Sequence, residues 1–251
     1  MITDPWFYVA AIPAVLIFGI SKGGFGGSLG MLAVPLISLT VSPVQAAAIM
    51  LPILCVMDAT GIWAYRGKWS WHELKLMLPA TMVGLAVGFL LFEYMSPALL
   101  RLLLGIVAVL FTLRHWVSKV LGKEQEGAYS APVAYLAAAG AGFTSFIAHA
   151  GGPFVNMYLL RRNLDRTTYV ATTVFFFLVV NYIKVVPYAW LGQFDKTNLL
   201  TALVLIPLAP IGVYAGYWLH TRVSDRVFFQ IAYTLLFIVG LRLIYDGITG
   251  L

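Results

Sequence analysis

Long apolar stretches separated by short polar connectors make up most of this chain. The apolar stretches cover residues 6–20, 25–40, 43–65, 71–92, 97–117, 131–148, 151–160, 167–190, 198–219 and 227–245. Backbone polar groups in lipid must find partners within their own segment, so such stretches predict membrane-embedded helices. Transmembrane strands would instead alternate apolar and polar residues over about 10 positions. The sequence lacks that alternation, and we predict an all-α, polytopic membrane protein.

The apolar stretches differ in length. A helix rising about 1.5 Å per residue needs about 20 residues to cross a hydrocarbon core of about 30 Å. Most stretches reach or approach that length, but those at residues 6–20, 25–40 and 151–160 are too short. Because the short stretches come in pairs joined by glycine-rich turns, we predict two broken-helix hairpins, at residues 6–40 and 131–161. Re-entrant backbone of this kind is tolerated only where protein or water covers it.

The two halves of the chain share a sequence pattern. Gly19-Ile20-Ser21 corresponds to Gly142-Phe143-Thr144 at an offset of 123 residues, and later glycines correspond at similar offsets. We predict a first repeat at residues 1–120, a cytoplasmic linker at 121–130 and a second repeat at 131–251. Each repeat would hold one hairpin and three transmembrane helices. Because three is odd, the second repeat is inverted, as in many secondary transporters that bind substrate near the membrane midplane.

Composition excludes a water-soluble protein. Of the 251 residues, 61% are hydrophobic and only 10% are charged, whereas soluble domains are about 25% charged. We therefore expect the lipid bilayer to surround the protein. The net charge of +6 would suggest nucleic acid in a soluble protein, but these cations lie between apolar stretches, and no nucleic-acid partner is predicted. The single cysteine, Cys55, excludes a disulfide within the chain.

The basic residues are distributed unevenly between the two predicted sides of the membrane. One side carries Arg66, Lys68, Lys75, Arg114, Lys119, Lys123, Arg161, Arg162, Arg166, Arg222 and Arg226, and the other carries Arg101, Lys196 and Arg242. The positive-inside rule makes the first side cytoplasmic. Both termini are then expected to face the periplasm. The first residues lack a basic segment and do not resemble a cleavable signal peptide.

The tip of the first hairpin is a candidate anion site. Lys22 places a charge inside an apolar segment, where charges are costly and usually functional. The residues after it are candidates for binding through their backbone N–H groups, which can approach a ligand closely at a helix start. These residues are Gly23, Gly24, Gly26, Gly27 and Ser28. In the structural alternative, the glycines only permit close helix packing and Lys22 extends to water.

The tip of the second hairpin offers neutral hydrogen-bonding groups. Ser145 corresponds to Lys22 in the repeat alignment, and His149 can bind substrate or carry a proton. Gly151, Gly152 and Asn156 complete this second candidate group. In the structural alternative, His149 bonds a backbone carbonyl and holds the hairpin in place.

Polar residues inside the long stretches form a third group of candidates. Asp58 is a candidate proton carrier, because burial favours the neutral form of a carboxyl group; the alternative is a partner for a nearby cation. Lys184 and Asn181 share one helix face in the second half. Lys184 lies nearer the outer side, so an Asp58–Lys184 ion pair is not expected. Gln45 and Thr172 are weaker candidates of the same kind.

Motifs for other chemistry are missing from the sequence. There is no HExxH, CxxC or GxSxG sequence and no phosphate-binding P-loop. The histidines lie on different segments. We therefore predict no metal site, no cofactor and no enzyme activity.

The first hairpin carries a family resemblance. It consists of Gly19-Ile20-Ser21-Lys22-Gly23-Gly24-Phe25-Gly26-Gly27-Ser28-Leu29-Gly30, then Pro35, and is followed by Gln45-Ala46-Ala47-Ala48. With the half-repeat and the basic loops, it resembles the sulfite exporter TauE/SafE family, also called the 4-toluene sulfonate uptake permease family, over nearly the whole chain. The resemblance implies a bacterial inner-membrane carrier of sulfite or organosulfonates, working in either direction. The second hairpin departs from the expected pattern, with Ser145 in place of a second lysine.

The sequence therefore leads to the hypothesis of a secondary transporter for a small sulfur-containing oxyanion. The two halves would rock to give alternating access, with protons as the coupling ion and Asp58 or His149 as the proton carrier. An anion channel, an intramembrane enzyme using His149 and Ser145, and a metal-ion permease remain alternatives. The sequence leaves open the direction of transport and the oligomeric state, including a homodimer.

Overall fold

The structure is a computed structural model that describes residues 1–92, 94–121, 131–219 and 225–250. Within these residues, all regular secondary structure is helical, which confirms the predicted all-α fold. The α-helices are α1 (Pro5–Gly24), α2 (Ala33–Ile37), α3 (Pro43–Ala64), α4 (Trp71–Phe92), α5 (Pro97–Leu121), α6 (Ala131–Ala148), α7 (Gly152–Leu159), α8 (Arg166–Trp190), α9 (Lys196–Leu205), α10 (Leu208–Leu219) and α11 (Asp225–Thr249). A 3-10 helix, Ser28–Leu32, precedes α2.

Several helices are long and apolar enough to cross a membrane, which makes this a multi-pass membrane protein. Among the described residues, five qualify by themselves, namely α1, α3, α4, the Pro97–Ser118 part of α5, and α8. The pair α9 and α10, bent by 40° at its break, makes a sixth if it forms one span. The α6 helix is apolar but shorter, and α7 has only 8 residues.

Two expectations about these helices are wrong. The first stretch was expected to end near residue 20 and to be too short to span, but α1 continues to Gly24 and has 20 residues. The polar residues that suggested an end, Ser21 and Lys22, are buried against other helices and stay helical. The stretch 198–219 was expected to be one helix, but it breaks at Pro207. Proline has no backbone N–H to donate, and its ring clashes with the preceding turn of the helix.

Capping residues set the starts of four helices. Asp4, Ser42, Asp165 and Asp195 each accept a hydrogen bond from a backbone N–H in the first turn of α1, α3, α8 and α9. These side chains satisfy donors that have no partner inside the helix. Asp165 is exposed, and hydrogen bonds from Thr168 lower the pKa of its carboxyl group.

Glycines allow the closest helix contacts. The α1 helix packs along α10, α4 along α6, α5 along α11, and α3 against α8. A side chain at Gly19 would strike the backbone at Gly212, and one at Gly84 would strike the backbone of α6 at Ala139. Gly142 of α6 in turn lies against the backbone of α4 at Thr81. The matched glycines of the two halves thus occupy matching contacts, while the division into inverted repeats stays a prediction.

Long-range polar contacts identify the two ends of the helix bundle. At one end, Arg162 forms an ion pair with Glu73 at 2.9 Å, and the backbone N–H of Ser70 donates to Thr172. This end brings together two connectors rich in cations, as the charge pattern predicts, and we call it the basic end. At the opposite end, the backbone N–H of Ile2 donates to Thr201. In the predicted linker, residues 122–130 lie outside the described residues, as does Arg222 of the charge pattern.

Candidate functional site

The first hairpin turns tightly after α1, and Ser21 holds the turn together. Its carbonyl accepts from the N–H groups of Phe25 and Gly27, and its hydroxyl accepts from the N–H of Leu29. Gly26 and Gly27 have φ of +65° and +70°, a region that favours glycine. The N–H of Gly27 is thus occupied, and it can bind an anion only if the turn opens.

The other candidate residues of the first hairpin mainly pack against neighbouring helices. Gly23 lies against the backbone of α10, and its carbonyl accepts from the hydroxyl of Tyr65 at 2.6 Å. Gly26 lies against the ring of Tyr169. Ser28 begins the 3-10 helix, and its side chain lies outside the described part of the structure. Packing therefore accounts for much of the glycine content of this hairpin.

Lys22 and Asp58 form a buried ion pair. The distance from Lys22 Nζ to Asp58 Oδ1 is 2.5 Å, and the residues are 2% and 0% exposed. This is an ion-pair contact, although its angles fall outside hydrogen-bond geometry. The rings of Phe18 and Phe177 flank the ammonium, with centroids 5.7 and 5.8 Å away. Lys22 therefore does not extend to water, and Asp58 has the cation partner that sequence reasoning offered as its alternative role.

Asn181 is the second partner of Asp58. Its Nδ2 donates to Asp58 Oδ2 at 2.7 Å, while its buried Oδ1 has no hydrogen-bond partner. Because two acceptors do not approach to this distance, an ionised Asp58 requires the amide nitrogen on its side. The amide oxygen is thereby held away from Asp58.

Lys184 lies at the second hairpin and has neutral partners. Its Nζ donates to the carbonyl and the hydroxyl of Ser145, at 2.8 and 3.1 Å, and lies 2.6 Å from Nδ1 of His149. Lys184 is fully buried. No carboxylate of the described residues forms an ion pair with it.

His149 joins the second hairpin to α3. Its Nε2 lies 2.9 Å from the carbonyl of Ala47, and a carbonyl can only accept, so this nitrogen carries a proton. Nδ1 is then free of hydrogen and accepts from Lys184, an assignment that follows from the partners. The residue has φ of +54°, which is uncommon outside glycine. These bonds match the structural role considered for His149.

A small cavity separates the group around Asp58 from the group around Lys184. Its lining comprises Phe18, Lys22, Gly27, Leu54, Ser145, His149, Gly152, Phe177 and Asn181. The volume open to the centre of a water molecule is about 10 Å³, enough for about one water. Lys22 and Asn181 thus face Ser145 and His149, with Asp58 behind the first pair and Lys184 behind the second. The structure brings both hairpin tips together, as the sequence predicts.

A larger cavity of about 610 Å³ lies at the basic end, and we call it the vestibule. Gly24 and Phe25 of the first hairpin and Pro153 and Asn156 of the second contribute to its lining. Its other lining residues are Phe111, Arg114, His115, Ser118, Met157, Leu159, Leu160, Leu164, Arg166, Tyr169, Val170 and Tyr233. The vestibule therefore extends from the hairpin tips toward the cationic connectors.

Three further predicted residues do not belong to the lining of the small cavity. Asn156 lines the vestibule, where its Oδ1 accepts from the hydroxyl of Tyr169 at 2.6 Å. Gly151 precedes α7, and a side chain there would strike the carbonyl of Ala141. Gln45 bonds Asn198 at the opposite end of the bundle. The structure places none of these three beside Lys22.

Sequence reasoning missed a buried cluster at the basic end. The carboxylate of Glu73 accepts from the hydroxyl of Tyr158 at 2.5 Å and from Nε of Arg162 at 2.9 Å. The hydrogen bond from Arg162 to Glu73 raises the pKa of that guanidinium group. Glu73 lies in the first turn of α4, Tyr158 in α7 and Arg162 just after the second hairpin, so the cluster fixes this hairpin to α4. Its sequence signal, an acidic residue among cations, is weak.

The structure offers no grouping of metal ligands in its described part. Clusters of three or more histidine, cysteine, aspartate or glutamate side chains suited to a metal ion do not occur among those residues.

Comparison with known proteins identifies the family. The sequence model of the sulfite exporter TauE/SafE family matches residues 11–243, which include the tips of both hairpins and most of the helical residues. No match was found among curated proteins or among solved structures. The family match agrees with the helical, multi-pass fold and with the glycine-rich first hairpin. The chain therefore belongs to the sulfite exporter TauE/SafE family of membrane transporters.

Proposed function

We propose that this protein is a secondary transporter that carries a small sulfur-containing oxyanion, sulfite or an organosulfonate, across the bacterial inner membrane. One observation carries the proposal. Two buried lysines, Lys22 and Lys184, have a single carboxylate, Asp58, between them among the described residues of the site. With both lysines protonated, the site has one positive charge in excess. Burying an unpaired charge costs several kcal/mol. An anion that enters the site would compensate this charge and so recover a similar free energy.

The small cavity supplies the groups that such an anion needs. Lys22 provides an ammonium group at the cavity surface. Ser145 accepts from Lys184, which leaves its own hydroxyl hydrogen free to donate into the cavity. Lys184 adds a positive potential from directly behind Ser145. Room for about one water is too little for a sulfonate group, so binding requires the hairpin tips to separate.

The vestibule suggests the path of entry. It connects the hairpin tips with the basic end, which we place in the cytoplasm according to the positive-inside rule. Both termini then face the periplasm. The Arg114 guanidinium lines the vestibule and bonds the sulfur of Met157 at 2.9 Å, a weak acceptor that an anion can replace. Rocking of the two halves around the hairpin tips would open the site to the other side.

Protons are the proposed coupling ion. In the empty site, the Asp58 carboxylate forms an ion pair with the Lys22 ammonium. An anion must therefore compete with this carboxylate for Lys22. Protonation of Asp58 removes the competitor and releases the ammonium for the anion. His149 is the alternative proton carrier, because its Nδ1 faces Lys184. Binding and release, without a covalent step, make the protein a carrier and not an enzyme.

Uptake into proteoliposomes tests the proposal. Labelled sulfite and labelled 4-toluenesulfonate are offered to the wild type, Lys22→Met and the exposed control Lys196→Met, with and without a pH gradient. We expect saturable uptake that the gradient stimulates, retained in the control and lost in Lys22→Met. Because Lys22→Met leaves Asp58 unpaired, Lys22→Met/Asp58→Asn is measured beside it as the charge-balanced variant.

The same assay distinguishes the alternatives. Flux that does not saturate and shows no counterflow would identify a channel. Uptake of divalent metal ions that survives Lys22→Met would favour a metal permease. A new compound formed from either sulfur anion by the purified protein would identify an enzyme. Saturable uptake that is unchanged in both Lys22 variants would refute the proposed site while leaving a carrier.

A further inference from the structure

The side chain of Asn181 has a buried atom without a partner. Asn181 is 2% exposed, and its Oδ1 has no hydrogen bond although the residue lines the small cavity. An unpaired buried acceptor costs about 1–3 kcal/mol, so such atoms are rare in folded proteins. An acceptor is also the wrong group to present to an anion. The lining of the small cavity thus includes a residue whose amide holds an unpaired acceptor, whereas the proposed substrate needs donors.

The charge of Asp58 fixes this unfavourable orientation. An ionised Asp58 can only accept hydrogen bonds, and it draws Nδ2 of Asn181 to 2.7 Å from its Oδ2. The amide oxygen must then point elsewhere. A protonated Asp58 carries an O–H donor instead, and this donor is best satisfied by the amide oxygen. Rotation of the amide by about half a turn would exchange its two ends and present Nδ2 to the cavity.

We propose that the side-chain amide of Asn181 couples anion binding to protonation of Asp58, by turning its donor toward the cavity only when Asp58 is neutral. The inference rests on the proposed anion-carrier function. In the empty state, Asp58 holds both Lys22 and the amide nitrogen. One proton on Asp58 releases both groups, and both then serve the anion. The proton enters with the anion and leaves with it, so no other reactant is needed.

Among the charged and titratable groups near Asp58, Asp58 itself is the one whose protonation controls the amide. Lys22 faces it from α1, while Asn181 and Lys184 belong to α8. Cys55 lies one turn earlier on α3. His149 of the second hairpin is engaged by Lys184 and by the carbonyl of Ala47. Among these groups, Asp58 alone contacts both Lys22 and Asn181.

Binding at two pH values tests the inference. The probe is methanesulfonate, which stays a monoanion from mildly acidic to mildly alkaline pH, so its own charge does not change. We expect the wild type to bind more tightly at acidic pH. In Asn181→Leu, acidic binding should weaken roughly 10- to 100-fold, the equivalent of one hydrogen bond to a charged group. At alkaline pH, the same variant should bind as well as the wild type or better, because leucine removes an acceptor from the cavity.

Two further variants separate this role from a structural one. Asp58→Asn keeps position 58 neutral, and we expect acid-like affinity at both pH values. Thr172→Val removes a buried hydroxyl from the same helix, α8, and should leave the pH dependence unchanged. If Asn181→Leu weakens binding equally at both pH values, Asn181 has a structural or constant role and the inference is wrong.

Infrared spectroscopy tests the Asp58–Asn181 contact without any substrate. The carboxylic acid band that appears on acidification and is absent from Asp58→Asn belongs to Asp58. We expect this band to shift in Asn181→Leu, because the amide oxygen no longer accepts the acid proton. An unchanged band would overturn the inference even if the protein transports anions. If the band shifts but the protein binds none of the anions, the Asp58–Asn181 contact is supported. The proposed substrate class is then wrong.

Discussion

The Lys22–Asp58 ion pair allows a quantitative test of the charge balance at the site. In Lys22→Met, the Asp58 carboxylate keeps one hydrogen bond, from Asn181, but loses its cation. Removing one partner from a buried ion pair typically costs about 3–5 kcal/mol, because the remaining charge is left without compensation. Both residues are almost completely buried here, so we expect a loss of stability in this range.

The double variant Lys22→Met/Asp58→Asn should recover most of that loss. It replaces the ion pair with neutral groups of similar size, and such replacements are often close to neutral in free energy. We therefore expect the double variant to lie within about 1–2 kcal/mol of the wild type. Lowering the pH should also reduce the loss in the single variant, because protonation neutralises the unpaired carboxylate.

The assay is reversible unfolding in mixed micelles, followed by tryptophan fluorescence, with exposed Lys196→Met as the control. A double-mutant cycle then gives the interaction energy of the pair. If the double variant loses as much as the two single variants together, Lys22 and Asp58 do not compensate each other and the charge-balance reasoning fails.

Three other predictions concern different contacts. Lys184→Met should reduce saturable anion uptake in proteoliposomes, because it removes the amino group directly behind Ser145 and His149; unchanged uptake would contradict its role. Glu73→Gln should lower the midpoint of thermal unfolding by weakening two charge-assisted bonds, at a cost of about 1–3 kcal/mol, and wild-type stability would show that the cluster contributes little. Gly84→Ala should cost about 1–3 kcal/mol by overpacking α4 against α6, whereas Val83→Ala on the exposed face of the same helix should not.

The sequence contained most of the information about the helices. The apolar stretches at residues 43–65 and 167–190 predicted the starts of α3 and α8 to within one residue, and the structure shows that Ser42 and Asp165 cap these starts. The end of α1 was mispredicted because it depends on a contact that is distant in the sequence. A lysine in an apolar segment looks like a helix end until its partner is known, and Asp58 lies 36 residues further along the chain.

The pairing of the polar residues was less predictable. Which groups meet depends on the rotation of each helix and on the depth of each hairpin tip, and neither follows from local sequence. One signal was nevertheless available. Asp58 and Asn181 are separated by 123 residues, the same offset that relates Gly19 to Gly142 and Lys22 to Ser145. Residues at equivalent positions of two repeats can meet at the repeat interface, so this offset pointed to the contact.

On the proposed mechanism, the charge count at the site predicts how transport responds to membrane voltage. The empty site contains two lysines and one ionised carboxylate. Loading with a monoanion and one proton on Asp58 adds one charge of each sign, so the net charge stays the same whether or not Lys184 is protonated. Transport should therefore be electroneutral. A potential of 100 mV would otherwise change accumulation roughly 40-fold, since it is worth about 2.3 kcal/mol per charge. Proteoliposomes with a potassium diffusion potential and no pH gradient should thus not accumulate methanesulfonate, whereas a pH gradient alone should suffice; accumulation driven by voltage would show that anion and proton do not move together.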